Sequence, residues 1–201
     1  MPDNLSFDIA VLGVGGQGIG LLSETLLRAA DHAGLPVRSV DTHGLAQRGG
    51  LVISHVRLGK RAHSALIGEG QADMVVALER HEALRGLNTY LVDDGILVYY
   101  DAVWQPLRVR LRRDQAVTAE TIADECARRD VRLVRVFVPN LPDPRMQNVA
   151  LLAELSRLRL VPGVEPAHVE AALTDLLDGD MLAANLKLFR TLTASSAGGS
   201  V

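Results

Sequence analysis

Phe7-Asp8-Ile9-Ala10-Val11-Leu12-Gly13-Val14-Gly15-Gly16-Gln17-Gly18 is the stretch whose reading decides the fold. Its first half is a run of apolar residues with the length and composition of a buried strand. From Ile19 to Ala33 apolar residues recur at helical spacing. The glycines between them therefore form a strand-to-helix turn. Such a turn aims bare N–H groups at an anion, the positive end of the helix dipole adds to the effect, and glycines let a phosphate or another backbone approach without a Cβ in the way. The same glycines also serve if their only task is to let strand and helix pack closely. A single G-x-G-x-x-G pattern is weak evidence for a dinucleotide. Here the acid expected at the end of the second strand is represented only by Asp41, at the start of a loop with its own specialised composition.

Outward from this turn the chain alternates strands and helices. Gly34-Leu35-Pro36 is a break, Val37 to Val40 a short strand, and Leu51 to Leu58 a third strand. Between them lies Asp41-Thr42-His43-Gly44-Leu45-Ala46-Gln47-Arg48-Gly49-Gly50, a polar loop dense in hydrogen-bonding side chains. Ala72 to Leu78 reads as a deep strand with Glu79 at its end, followed by a helix over Arg80 to Asn88. The carboxyl ends of parallel strands gather ligands, which makes Glu79 a candidate site residue, and capping the next helix accounts for it equally well. Asp93-Asp94-Gly95 is a turn into a fifth strand, Ile96 to Tyr100. Leu107 to Arg113 alternates arginine with apolar residues, as an edge strand with a solvated face would; contact with an acidic partner is the lesser reading. Thr118 caps a helix to about Arg129, Arg132 to Val136 is the last strand, and Asp143-Pro144 opens a long helix through Leu158 that carries Asn148. Glu165-Pro166 opens another helix, and Asp180 to Leu192 forms the last.

This pattern predicts a single three-layer α/β/α domain, Rossmann-like, with a mostly parallel sheet over residues 1–193 and a disordered tail over 194–201. With 201 residues the chain is long enough to bury a full core. A net charge of −3 and scarce aromatic residues argue against a nucleic-acid partner. The single cysteine, Cys126, can make neither an internal disulfide nor an iron–sulfur cluster. His55 reads as a hydrogen-bonded structural residue, and no metal site is expected. No leader pattern and no apolar run of spanning length is found, so a cytoplasmic protein without membrane contact is expected.

Three stretches together carry a family likeness. Gly13-x-Gly15-Gly16-Gln17-Gly18, His43-Gly44-Leu45-Ala46-Gln47-Arg48-Gly49-Gly50 and Ser54-His55-Val56-Arg57 resemble the gamma subunit or domain of 2-oxoacid:ferredoxin oxidoreductases, most of all the small beta subunit of indolepyruvate oxidoreductase. Ser64-Ala65-Leu66-Ile67, Gly70-Gln71-Ala72-Asp73, Ala77-Leu78-Glu79 and Glu82-Ala83-Leu84-Arg85 agree as well, and the pattern extends weakly to Asn148 and the helix from Pro166. Leu45 stands where methionine is usual, Tyr99-Tyr100-Asp101 where an asparagine is expected, and Leu107 to Arg113 is this chain's own.

The resemblance implies a subunit of a complex that oxidatively decarboxylates a 2-oxoacid, with the aryl type such as indolepyruvate favoured, to an acyl-CoA and passes electrons to ferredoxin. It implies that thiamine diphosphate, Mg and the iron–sulfur clusters sit on a larger partner subunit, that CoA is a co-substrate this chain could meet, and that the isolated chain is inactive and could form a homodimer. The residues implied at the surface facing partner or ligand are Gly13, Gly15, Gly16, Gln17, Gly18, His43, Gln47, Arg48, Gly49, Gly50 and Glu79. None of them is expected to be catalytic. Arg48 would offer a cationic fork to a phosphate or carboxylate; equally, Arg48 and Gln47 could satisfy backbone carbonyls of the glycine loop. The alternatives are a stand-alone Rossmann-like nucleotide-binding or redox-sensing module, and an assembly scaffold with an exposed apolar patch on the late helices.

Overall fold

The computed structural model describes residues 6–43, 50–59, 64–103 and 116–195. In chain order its elements are β1 (Phe7–Val14), α1 (Ile19–His32), β2 (Val37–His43), β3 (Leu51–Leu58), β4 (Ala72–Ala77), α2 (Arg80–Thr89), β5 (Leu91–Tyr100), α3 (Ala119–Arg128), β6 (Arg132–Val136), a 3-10 turn (Pro144–Met146), α4 (Gln147–Arg157), α5 (Pro166–Leu176) and α6 (Gly179–Ala194). The strands form one sheet in the order β2-β3-β1-β4-β5-β6. β1, β4, β5 and β6 pair in parallel, whereas β3 is antiparallel to both β1 and β2. Among the described residues five strands therefore point one way and β3 alone runs back.

The layers follow from strand periodicity. Ile9 and Val11 of β1 face one side with Met74, Val76 and Val98; there they meet Leu22, Leu26, Ala29 and Ala30 of α1 and the inner faces of α4, α5 and α6. Ala10 and Leu12 face the other side with Val75, Ala77, Leu97 and Tyr99, under Ala83 and Leu87 of α2 and Ile122 and Cys126 of α3. A strand covered on both faces is apolar throughout rather than alternating, which is why residues 9–12 read as a continuous run.

Three local expectations are modified. The turn at Asp93-Asp94-Gly95 lies inside β5 as an irregularity: pairing jumps from Ala72↔Leu91 to Met74↔Ile96, and Asp94 takes a φ of 60°. The helix expected from Pro144 to Leu158 is split, because the Asp143 carboxylate accepts the Arg145 N–H at 2.8 Å and closes a tighter 3-10 turn before α4 begins. The last helix extends to Ala194, where the tail was expected to start. Residues 107–113 and 196–201 lie outside the described residues.

The register of β3 on β1 is fixed at its far end by a charged pair. Asp8 lies opposite Arg57 in the ladder and is buried; the guanidinium donates Nε to Oδ1 at 3.0 Å and Nη2 to Oδ2 at 2.7 Å. Arg57 also donates Nη1 to the carbonyls of Ser64 and Leu66, which binds the loop after β3 to the sheet. Replacing Arg57 with Ala strands the Asp8 carboxylate in the core and should cost about 3 kcal/mol of stability. Urea unfolding of Arg57→Ala beside the parent chain checks this.

Candidate functional site

The glycine turn leaves β1 at the carboxyl edge of the sheet, between β3 and β4. Chain connections run from β1 to one side through α1 and β2, and to the other through β4, so the edge at β1 and β4 is the topological switch point where open α/β sheets hold ligands. One hydrogen bond, one close approach and two left-handed glycines shape the turn. The Gln17 side chain is buried and its Oε1 accepts the Val14 N–H at 2.7 Å, closing the loop on itself. Gly13 lies so close to the start of α1 that an added Cβ would sit 2.9 Å from Ile19 and 3.0 Å from the Leu78 side chain. Gly18 is the N-cap of α1 in the left-handed region, with a φ of 84° and no side-chain cap. Gly16 is exposed at the tip, with a φ of 101°.

The Gly15 N–H donates to the Gly50 carbonyl at 2.9 Å. That bond joins the glycine turn to the end of the polar loop. The polar loop is not a second strand-to-helix loop of a doubly wound sheet. The residues between His43 and Leu51 are too few for a crossover, which takes about a dozen or more, so β2 turns directly into antiparallel β3. The reversed strand starts where β1 ends, pairing Leu51 with Val14, and so delivers Gly50 to Gly15. His43 is the last residue of β2, paired with Val52. Gln47, Arg48 and Gly49 lie outside the described residues. Asp41 is part of β2, and its carboxylate accepts the Ser54 hydroxyl at 2.5 Å.

Glu79 closes the β4 end of this edge. It is buried and caps α2, its carboxylate accepting the N–H groups of Glu82 at 2.5 Å and His81 at 3.0 Å. One residue on, Arg80 belongs to a cluster not anticipated as part of the edge. Buried Asp101, just past β5, accepts hydrogen bonds from Arg80 on one oxygen and from Arg135 of β6 at 2.7 Å on the other. Burial opposes the charge on Asp101, yet the two guanidinium bonds outweigh it and hold the carboxyl below the usual carboxylate range. No local spacing connects residues 21 and 34 positions apart, so only the pairing of β5 with β6 could have revealed this cluster.

Cys126 and His55 are structural. Burial, reinforced by Glu125, pushes the Cys126 thiol up to about 11, which leaves it protonated and unreactive. His55 is buried within β3; its Nδ1 accepts the Ile67 N–H at 3.3 Å and its ring meets Tyr90 edge-on. Among the described residues no group of three or more His, Cys, Asp or Glu is placed to hold a metal, and no helix is long and apolar enough to cross a membrane. The edge carries the start of α1, an exposed glycine tip and two arginines anchored on Asp101.

His55 has a pH signature. Desolvation lowers its pKa below the ordinary 6.5, a trend Asp41 opposes and Arg57 assists. Between the two values the unfolded chain binds more protons than the folded one, so stability rises with pH and is lost on acidification through about 6.5. The parent chain should therefore lose stability below that pH by up to about 1.4 kcal/mol per pH unit more than His55→Gln, whose amide oxygen can still accept from Ile67. Thermal melts of both proteins across that range measure the difference.

Residues 8–193 match the family model described as pyruvate ferredoxin/flavodoxin oxidoreductase. Over 191 residues the chain is 32% identical to indolepyruvate oxidoreductase subunit IorB of Archaeoglobus fulgidus, covering 92% of this chain and 93% of that one. The IorB subunit of Thermococcus kodakarensis is 43% identical over 91 residues, 45% of either chain. Among solved structures, pyruvate oxidoreductase subunit PORC of Thermotoga maritima superposes with a TM-score of 0.63 at 19% identity, covering 94% of this chain and 95% of its own. The 2-oxoglutarate:ferredoxin oxidoreductase of Magnetococcus marinus superposes with a TM-score of 0.67 at 19% identity, covering 94% of this chain but only 30% of that longer polypeptide. At those identities the structural matches establish the fold, and the extended sequence match establishes the kinship: the chain belongs to the pyruvate ferredoxin/flavodoxin oxidoreductase family.

Proposed function

We propose that this chain is the small subunit, without thiamine diphosphate of its own, of a complex that oxidatively decarboxylates a 2-oxoacid to an acyl-CoA and passes the electrons to ferredoxin or a similar acceptor. The observation that carries the reading is the end-to-end match to an indolepyruvate oxidoreductase subunit, which favours an aryl 2-oxoacid. The lone buried cysteine supports the division of labour, since an iron–sulfur cluster draws on several thiolates and must then belong to the larger subunit.

Within that complex the carboxyl edge is the working face. Gly15, Gly16 and Gly18, with His43, Gln47, Arg48, Gly49 and Gly50, face the thiamine-bearing subunit and border the approach of CoA, and buried Gly13, Gln17 and Glu79 support that edge from beneath. The Gly15–Gly50 bond supports this, because it ties the glycine turn to the residue that closes the polar loop. Arg48 supplies the charge that a CoA phosphate needs, and the amides of the turn supply directional donors.

The test is reconstitution of the complex with its larger subunit and assay of 2-oxoacid-dependent dye reduction. Arg48→Ala should assemble normally and raise the KM for CoA about tenfold, the loss of one charged hydrogen bond. Intact assembly with unchanged CoA dependence and turnover removes the ligand role of Arg48. Tight binding of NAD(H) or FAD by the isolated chain would instead identify a stand-alone nucleotide module.

A further inference from the structure

We infer that Asn148 is the positioning residue of the glycine turn, holding the Gly18 carbonyl so that α4 decides where the N-terminus of α1 points. The inference rests on the reading of the carboxyl edge as the face turned to CoA and the larger subunit.

Asn148 lies in the first turn of α4 and is 3% exposed. Its Nδ2 donates to the Gly18 carbonyl at 3.3 Å across 130 residues of sequence, while its Oδ1 accepts the Val149 N–H at 2.7 Å. The Gly18 carbonyl is the one that starts α1, since it also accepts the Leu22 N–H at 3.2 Å. Both hydrogen-bonding ends of the Asn148 amide are thus committed, one to its own helix and one to the turn. The fit is close: a Cβ on Gly18 would come within 2.6 Å of Asn148 Nδ2 and 3.7 Å of the Arg145 carbonyl. Space for a side chain at the N-cap has been given up to admit this amide.

The turn is consequently held from two sides. Gln17 closes it from within, through the Val14 N–H, and Asn148 holds it from the opposite flank. Gly18 itself provides no side-chain cap, so the first N–H groups of α1 take their direction from the position of the Gly18 peptide. A site that binds through backbone amides loses affinity when its frame is about an ångström loose, even with every donor present. Asn148 removes that looseness at the atom where the helix begins. It touches neither substrate nor cofactor, and acts through Gly18.

A purely structural role for Asn148 makes a different prediction, and Asn148→Asp separates the two. A carboxylate there keeps the acceptor for Val149 and suits the start of α4 electrostatically, but it loses the donor and sets a negative oxygen against the Gly18 carbonyl. In the reconstituted complex, Asn148→Asp should melt lower, as a buried carboxylate set against a carbonyl must, and at temperatures where it stays folded should keep its kcat within about twofold while the KM for CoA rises about five- to tenfold; a purely structural role predicts the lower melting temperature with KM unchanged. Gly18→Ala should damage the same parameter, and the double variant Gly18→Ala/Asn148→Ala should recover part of the loss, because the Cβ no longer meets the amide. Unchanged KM in Asn148→Asp, or strictly additive effects in the double variant, overturns the inference. If Gly18→Ala is harmful while Asn148→Asp is silent, the reading of the edge stands and the role of Asn148 alone falls. If Gly18→Ala leaves CoA dependence untouched, both fall together.

Discussion

The antiparallel ladder between β1 and β3 is the constraint on which the rest of this structure depends. β1 lies at the middle of the sheet and, among the described residues, β3 is the only strand that opposes it, so their register decides which residues meet at the carboxyl edge. A slip of one residue would turn every β3 side chain to the other face and move Arg57 away from Asp8. The charged pair therefore works at a distance: it sits at the amino end of β1, while the contact it secures, Gly15 with Gly50, lies at the other end of the same ladder. Backbone bonds propagate that order along the strands without any further side-chain specificity.

A second set of contacts ties the carboxyl edge together laterally. Leu78 donates its N–H to the Leu12 carbonyl, Glu79 caps α2, and Arg80 reaches Asp101, which in turn holds Arg135. Strand ends that would otherwise be loose are thus linked from β1 to β6. Burying Asp101 is tolerable because its oxygens are shared between two guanidinium groups, a geometry in which charge-assisted bonds offset desolvation. The result is a rigid border on which an exposed glycine tip is the least encumbered point.

Kinship and fold bear on different parts of the functional reading. The structural relatives, at 19% identity, establish a shared architecture with a TM-score above 0.6, and one of them embeds it in a polypeptide of which it occupies 30%. The sequence relatives are themselves named as indolepyruvate oxidoreductase subunits. The proposed working face rests instead on the switch point between β1 and β4 and on the Gly15–Gly50 bond.

Much of this protein is readable from the chain alone, and the reason is that those features are local. β3 and β6 have the bounds their apolar runs suggested, Thr118 and Asp143 accept the first N–H groups of the turns they precede, and His55 is hydrogen-bonded within the core. Each depends on neighbours within a few positions. Tertiary structure decided the rest. The reversal of β3, the bulge at Asp94, the Asp101 cluster and the Asn148–Gly18 contact join residues through strand pairing and helix docking, over separations that periodicity cannot encode. The glycine turn shows both sides: its existence follows from Gly13 to Gly18 alone, but what it faces follows from a reversed strand that brings Gly50 to it and from an asparagine 130 residues away.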